Sequence, residues 1–229
     1  MENPIANMYF IAIYTHEVKD YCDLDFFENV HILSEGRPVY VVDNSPGDVY
    51  YDKLDNLFRA KGYRGFHLHR VRVPAYPLES QFQRNVCDSV NYLRNLFLSQ
   101  TNLPYFLILE SDVLPPADLL RRLESAMGRL DRLDPSWGIV GGLYYTGFHN
   151  YNFDTSDGSL ERTHHCLSGC TLYKRELIQK YPFRYDPGNL GPFPDALICY
   201  DAGQEYSLWN EHGIHCSHLH NAANGLRVR

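Results

Sequence analysis

Strand-length apolar runs alternate along this chain with longer segments of helical period, and two of the runs end in carboxylates. "MYFIAIYTH" (8–16) and "RPVYVVDNSPGD" (37–48) are short runs of β-formers closed by polar turn residues. "GFHLHRVRVP" (65–74) alternates as a third strand. "SQFQRNVCDSVNYLRNLFLSQ" (80–100) spaces Phe82, Val86, Val90, Leu93 and Phe97 three and four apart, one face of a helix. "YFLILESD" (105–112) reads as a buried central strand. "PPADLLRRLESAMGRLDRL" follows as a helix, with Leu119, Leu120, Leu123, Met127 and Leu130 on one face and proline near the first turn. "WGIVGGLYYTG" (137–147) is a further strand, and 148–163, which shows no period, is expected to be a mobile loop. "CTLYKRELIQKY" passes from strand to helix, and "EYSLWNEHG" (205–213) reads as a short helix that Gly213 caps. Strands alternating with helices predict an α/β fold around a mainly parallel sheet. Such sheets keep their ligands at the carboxyl ends of the strands, where Asp43 and Asp112 both fall.

The chain has 229 residues, enough for one large domain or two closely merged ones. Its 21 Lys and Arg against 28 Asp and Glu give a net charge of -7, which argues against nucleic acid as the main partner. A nucleotide stays compatible, because a cation can bridge an acidic site to a phosphate. No apolar run reaches the length of a membrane span. The start, "MENPIANMYFIAIYTHE", lacks the basic segment and long apolar run of a secretory signal, so the expected location is cytoplasmic. The six scattered cysteines are accordingly expected as reduced thiols.

Four constellations carry chemistry. Glu110 and Asp112 stand two apart, so at a strand end both can converge on one hard cation such as Mg²⁺ or Mn²⁺. The same pair would equally serve as an acidic start to the next helix. Asp43, in "VVDNSPGD", can accept hydrogen bonds from a base or ribose, or simply close an Asx turn. "HHCLSGC" (164–170) and "HCSHLH" (215–220) supply one zinc-like spacing, Cys166 to Cys170, but His218 and His220 stand too close for the second. Either histidine fits better as one more ligand to a carboxylate-held metal. Asp201 and Glu205 lie around the expected short helix, where either can act as a general base or a cap. A P-loop, a G-x-G-x-x-G after the first strand and a G-x-S-x-G elbow are all absent.

Taken in order, these segments resemble the GT-A fold glycosyltransferases, closest to the family 2 type, over about residues 8–220. "FIAIYTH" resembles their first strand, and "VVDNSPGD" the strand whose Asp contacts the nucleoside. "QFQRNVCDSVNYL" resembles the helix carrying Arg-Asn near the donor. "YFLILESDVLPPADLL" resembles the segment bearing D-x-D, with Glu110 in place of the first Asp. "LSGCTLYKRELI" and "YDAGQEYSLWNEHG" resemble the acceptor-side segments, the second with the catalytic acid pair changed to Asp201-Ala202. The resemblance implies a single GT-A domain over 1–229, with a mixed, mainly parallel sheet flanked by helices. Its nucleotide-sugar half would span about 1–115 and its acceptor half about 116–229. It implies a metal-dependent, inverting sugar transfer from a UDP- or GDP-sugar to a hydroxyl of a carbohydrate or glycan. Asp201 or Glu205 would be the base. Tyr14, Thr15, Asp43, Arg84, Asn85 and Ser111 would hold the donor, and Glu110, Asp112 and His218 or His220 would hold Mn²⁺ or Mg²⁺. A sugar nucleotidylyltransferase is the neighbouring class, but "YTHEVKDY" lacks its glycine-rich loop. A non-catalytic, zinc-stabilised binding module is the third.

Overall fold

The computed structural model describes residues 8–74, 78–144, 158–189 and 193–219. Its first strand, β1 (Tyr9–Thr15), shows how the sheet is built. Ile11 and Ile13 project to one face, Phe10 and Ala12 to the other, and all four are fully buried. A strand covered on both faces therefore appears in sequence as an unbroken apolar run. β2 (Val39–Asp43) and β4 (Tyr105–Glu110) pair with β1 in parallel, and β3 (Phe66–Arg70) extends the sheet beyond β2. Beyond β4 lie β8 (Cys170–Lys174), antiparallel to it, then β6 (Trp137–Leu143), β9 (Ser207–His215) and β7 (Leu160–Thr163). The order is β3-β2-β1-β4-β8-β6-β9-β7, one mixed eight-stranded sheet. The β4–β8 pairing crosses the expected division near residue 115, so the two halves share this sheet.

Helices α1 (Asp23–Ser34), α2 (Val49–Lys61) and α4 (Leu119–Leu133) cover one face. α3 (Leu78–Gln100), α5 (Arg175–Lys180) and α6 (Pro194–Ala202) cover the other. The five residues expected on one face of α4 are all buried. On α3, Val86, Val90, Leu93 and Phe97 are buried, but Phe82 is 49% exposed, because the first turns of α3 project past the sheet. Among the described residues, no helix is long and apolar enough to cross a membrane.

Three expectations are corrected. Residues 205–213 are not a helix: Ser207–His215 is a strand inserted between β6 and β7. Its burial recurs every third residue rather than every second, which imitates a helical period. The cause is irregular pairing: Gly141 faces Asn210, yet Leu143 faces His215. The helix lies upstream, at Pro194–Ala202, so Asp201 sits in its last turn rather than near a start. Of the expected loop, 160–163 is strand β7, and 148–157 falls outside the described residues, as do 145–147 of the strand expected before it.

A second, two-stranded ribbon pairs β5 (Val113–Leu114) with β10 (Ser217–His218). His218 faces Val113, and Leu219 N donates to Asp112 O at 2.7 Å. The ribbon ties the late histidine to the end of β4.

Candidate active site

The carboxyl edge of β1, β2 and β4 gathers the charged groups. Glu110 ends β4 beside Tyr14 of β1, and Asp112 follows it. Between the two carboxylates stands the ammonium of Lys19, 2.5 Å from Glu110 Oε1 and 2.8 Å from Asp112 Oδ1. Lys19 comes from a single 3-10 turn, Glu17–Lys19, which His16 caps by accepting from Val18 N at 3.2 Å. From the other side, His218 Nε2 lies 3.5 Å from Asp112 Oδ2.

The charges perturb one another. Burial pushes the Glu110 carboxyl up, and Lys19 offsets part of that. Burial would raise Asp112 too, but His218 and Lys19 outweigh it and hold it below its ordinary value. Burial works against the charge on Lys19, yet Glu110 and Asp112 prevail and raise it. The cluster thus sets two acids against one ammonium.

Beside it, a pocket of about 230 Å³ opens among Tyr14, His16, Asn44, Gln81, Phe82 and Asn85, with Lys19 in its wall. Asp43 ends β2, next to Asn44 of the pocket wall but outside the lining itself. Its Oδ1 accepts from Ser45 N at 2.8 Å, while Oδ2 is buried with no hydrogen-bond partner among the described residues. Asn44 Oδ1 and Ser111 Oγ are buried and unpartnered in the same sense. Such groups are costly to leave bare, so three of them along one edge favour a polar ligand there. Thr15 lines the pocket, but its hydroxyl shares a 2.9 Å hydrogen bond with Tyr50. Arg84 lies outside that lining and stacks on Tyr185, 4.3 Å from the ring centre.

A further carboxylate joins from α6. Asp195 follows Pro194 at the helix start and is 8% exposed. Its Oδ2 accepts from Ser168 N at 3.2 Å and lies 3.4 Å from His165 Nε2. Ser168 Oγ in turn shares a 3.3 Å hydrogen bond with Tyr14 OH, so Asp195 connects to the β1 end through one serine. The Asp195 hydrogen bond raises the His165 pKa despite burial. Gly169 lets this corner close: its carbonyl accepts from Glu110 N, and Tyr144 lies against it. A Cβ at Gly169 would stand 2.6 Å from the Tyr144 ring and 2.7 Å from Val113. Gly169→Ala is expected to destabilise the protein by about 1–3 kcal/mol in chemical denaturation, the usual range for overpacking.

Two expected site residues stand elsewhere. Asp201, six residues along α6 from Asp195, is roughly 9 Å further down the helix axis at 1.5 Å per residue. It forms a bidentate pair with Arg184, at 2.6 and 2.8 Å. Glu205 pairs with Lys180 of α5 just before β9, near where β6 and β9 begin, the edge opposite Glu110. Neither is in the gathered site. The correction follows from the misplaced helix: the acid at a helix start is Asp195, and "FPDAL" carried the signal, a proline followed by Asp. Lys19 had no such signal. His220 lies outside the described residues, whereas His218 is delivered by β10.

The donor set suits a hard divalent cation: two carboxylates that meet at Lys19 and an imidazole beside one of them. Among the described residues, no three His, Cys, Asp or Glu side chains stand as a preformed metal cluster. The focus of Glu110 and Asp112 is held by Lys19 instead. A zinc site through Cys166 and Cys170 is not formed, because the two thiols enter the cores on opposite faces of the sheet. All six cysteines are free and buried.

A mixed sheet with a carboxylate pair beyond its fourth strand defines a fold class, and solved structures identify it as GT-A. The chain superposes on the mannosyltransferase PcManGT from Pyrobaculum calidifontis, solved with GDP-Man and Mn²⁺, with a TM-score of 0.64 and 16% identity. It superposes on GalNAc-T7, solved with UDP, GalNAc and Mn²⁺, at 0.62 and 13%, and on TarS 1–349 from S. aureus at 0.59 and 13%. These matches cover 91%, 93% and 90% of this chain but 56%, 44% and 59% of those proteins, about half their length. No protein-family model matches the sequence, and no curated protein matches it.

Proposed function

We propose that this chain transfers a sugar from a nucleotide-diphosphate donor, UDP- or GDP-linked, to a hydroxyl of a carbohydrate or glycan acceptor, with inversion. The observation that carries the reading is the meeting of Glu110, Asp112 and His218 beside a pocket whose wall includes Asn44, next to the bare Asp43 oxygen, on a GT-A sheet. Asp43 accepts a hydrogen bond from the nucleoside, which Tyr14, Thr15 and Asn85 enclose. Glu110, Asp112 and His218 would hold a divalent ion, Mn²⁺ or Mg²⁺, which would supply charge neutralisation at the leaving diphosphate. Asp195, rather than Asp201, accepts the proton of the attacking hydroxyl as its oxygen bonds to the anomeric carbon and the nucleoside diphosphate departs. A single displacement of this kind inverts that carbon. The donor belongs to the half before about residue 115, and the acceptor to the half after it, which carries Asp195.

A thermal-shift panel of UDP, GDP, dTDP and CMP, each with and without Mn²⁺, tests this. One nucleotide is expected to raise the melting temperature only with Mn²⁺, since a ligand at a hundred times its Kd stabilises by about 2.7 kcal/mol. No response to any combination would refute the donor site.

A further inference from the structure

The ammonium of Lys19 lies where a divalent ion would have to sit. It hydrogen-bonds one oxygen of each carboxylate, and its side chain is 11% exposed. A metal held by oxygen at about 2.0–2.2 Å leaves no room for an ammonium bound to the same two oxygens. Two cations cannot share this focus. Nor can Lys19 do the ion's work from there, because its one positive charge faces two carboxylates. That charge is already engaged by both acids and is not offered to an incoming diphosphate. A divalent ion in the same place cancels both acids and sets the lysine charge free.

We propose that Lys19 is a resident counter-cation that keeps Glu110 and Asp112 together, and that a divalent ion must displace it before the donor diphosphate binds. This rests on the reading of the site as a cation-assisted diphosphate site. The element carrying Lys19 suits such an exchange. It is one 3-10 turn, anchored by Lys19 N to His16 O at 2.8 Å and Glu17 N to Ser45 Oγ at 2.8 Å, with Val18 62% exposed. The released side chain has a destination. Lys19 already forms part of the pocket wall, and its Nζ lies 5.9 Å from the Tyr14 ring centre. A modest swing places the ammonium beside the diphosphate, where Lys serves as a point charge. Metal and nucleotide then bind with positive coupling, each favouring the state with Lys19 withdrawn.

The test is calorimetric titration of MnCl2, without nucleotide, into wild type, Lys19→Met, Lys19→Gln and Asp112→Asn. Lys19→Met is expected to bind Mn²⁺ at least about tenfold more tightly than wild type, the factor given by about 1.4 kcal/mol of lost competition. Lys19→Gln, which keeps a neutral donor, should fall between. A measurement on wild type alone covers the case of a variant that does not fold. Mn²⁺ should speed hydrogen exchange at the amides of Lys19, Asp20 and Cys22, which close the turn. Equal Mn²⁺ affinity in wild type and Lys19→Met, or unchanged exchange, overturns the displacement. If Asp112→Asn still abolishes Mn²⁺ binding in that case, the cation site itself stands and only the role of Lys19 falls. No Mn²⁺ binding by any form removes the cation site and the proposal together. Nucleoside diphosphate binding that is equal in EDTA and Mn²⁺, and lost in Lys19→Met, would make the lysine a permanent cation and overturn its displacement.

Discussion

Asp195→Asn is expected to lower turnover by about 10²–10⁴-fold, the usual contribution of a positioned general base, with donor affinity unchanged. The substitution preserves shape. The one asparagine oxygen can still accept from Ser168 N, which Asp195 Oδ2 now serves at 3.2 Å, at the cost of the 2.9 Å bond from Ala196 N to Oδ1. What it cannot do is take a proton from an acceptor hydroxyl. The pocket proposed for the nucleoside includes Tyr14, which reaches Asp195 only through Ser168, so donor binding has no reason to weaken. Nucleotide titration beside initial rates separates the two effects. Asp201→Asn supplies the contrast: it loosens only the pair with Arg184, and turnover should hold. Full activity in Asp195→Asn with loss in Asp201→Asn would return the base to the other end of α6.

Asp112→Asn is the second large effect. The Mn²⁺-dependent part of nucleotide stabilisation, about 2.7 kcal/mol at a hundred times Kd, should disappear from the thermal shift. The protein should still fold, because Lys19 keeps Glu110 at 2.5 Å and Leu219 N still donates to the backbone oxygen of residue 112. The buried ammonium is left with one acid rather than none, which avoids the heavy penalty of an uncompensated buried charge. Persistence of Mn²⁺-dependent nucleotide binding in this variant would place the cation elsewhere.

The residues that read most clearly in the sequence are those whose period is local. The unbroken apolar run of β1 follows from burial on both faces, and the leucine stripe of α4 from burial on one. Glu110 and Asp112 are visible for a local reason too, since they stand two apart where an apolar run ends, although Asp112 lies in the turn just past β4. The strand 207–215 was misread because its pairing with β6 is irregular, and no local rule encodes a neighbour's register. That misreading put a helix start near Asp201, whereas the helix begins beside Asp195.

The sequence by itself thus determined the class of fold, the strand end where a ligand gathers and the carboxylates placed there, since each depends on periods of two or 3.6 along one segment. Tertiary structure alone decided what surrounds them. Lys19, Ser168 and Asp195 come from three separate segments, and nothing in their local spacing marks them as neighbours, while His218, expected together with His220, is the one that β10 delivers. They meet because parallel pairing sets β1 beside β4, because β8 enters antiparallel with Gly169 against Glu110, and because β10 folds back on β5. Long-range pairing, which leaves no periodic trace in the chain, turned a pair of acids into a charged site with a lysine at its centre.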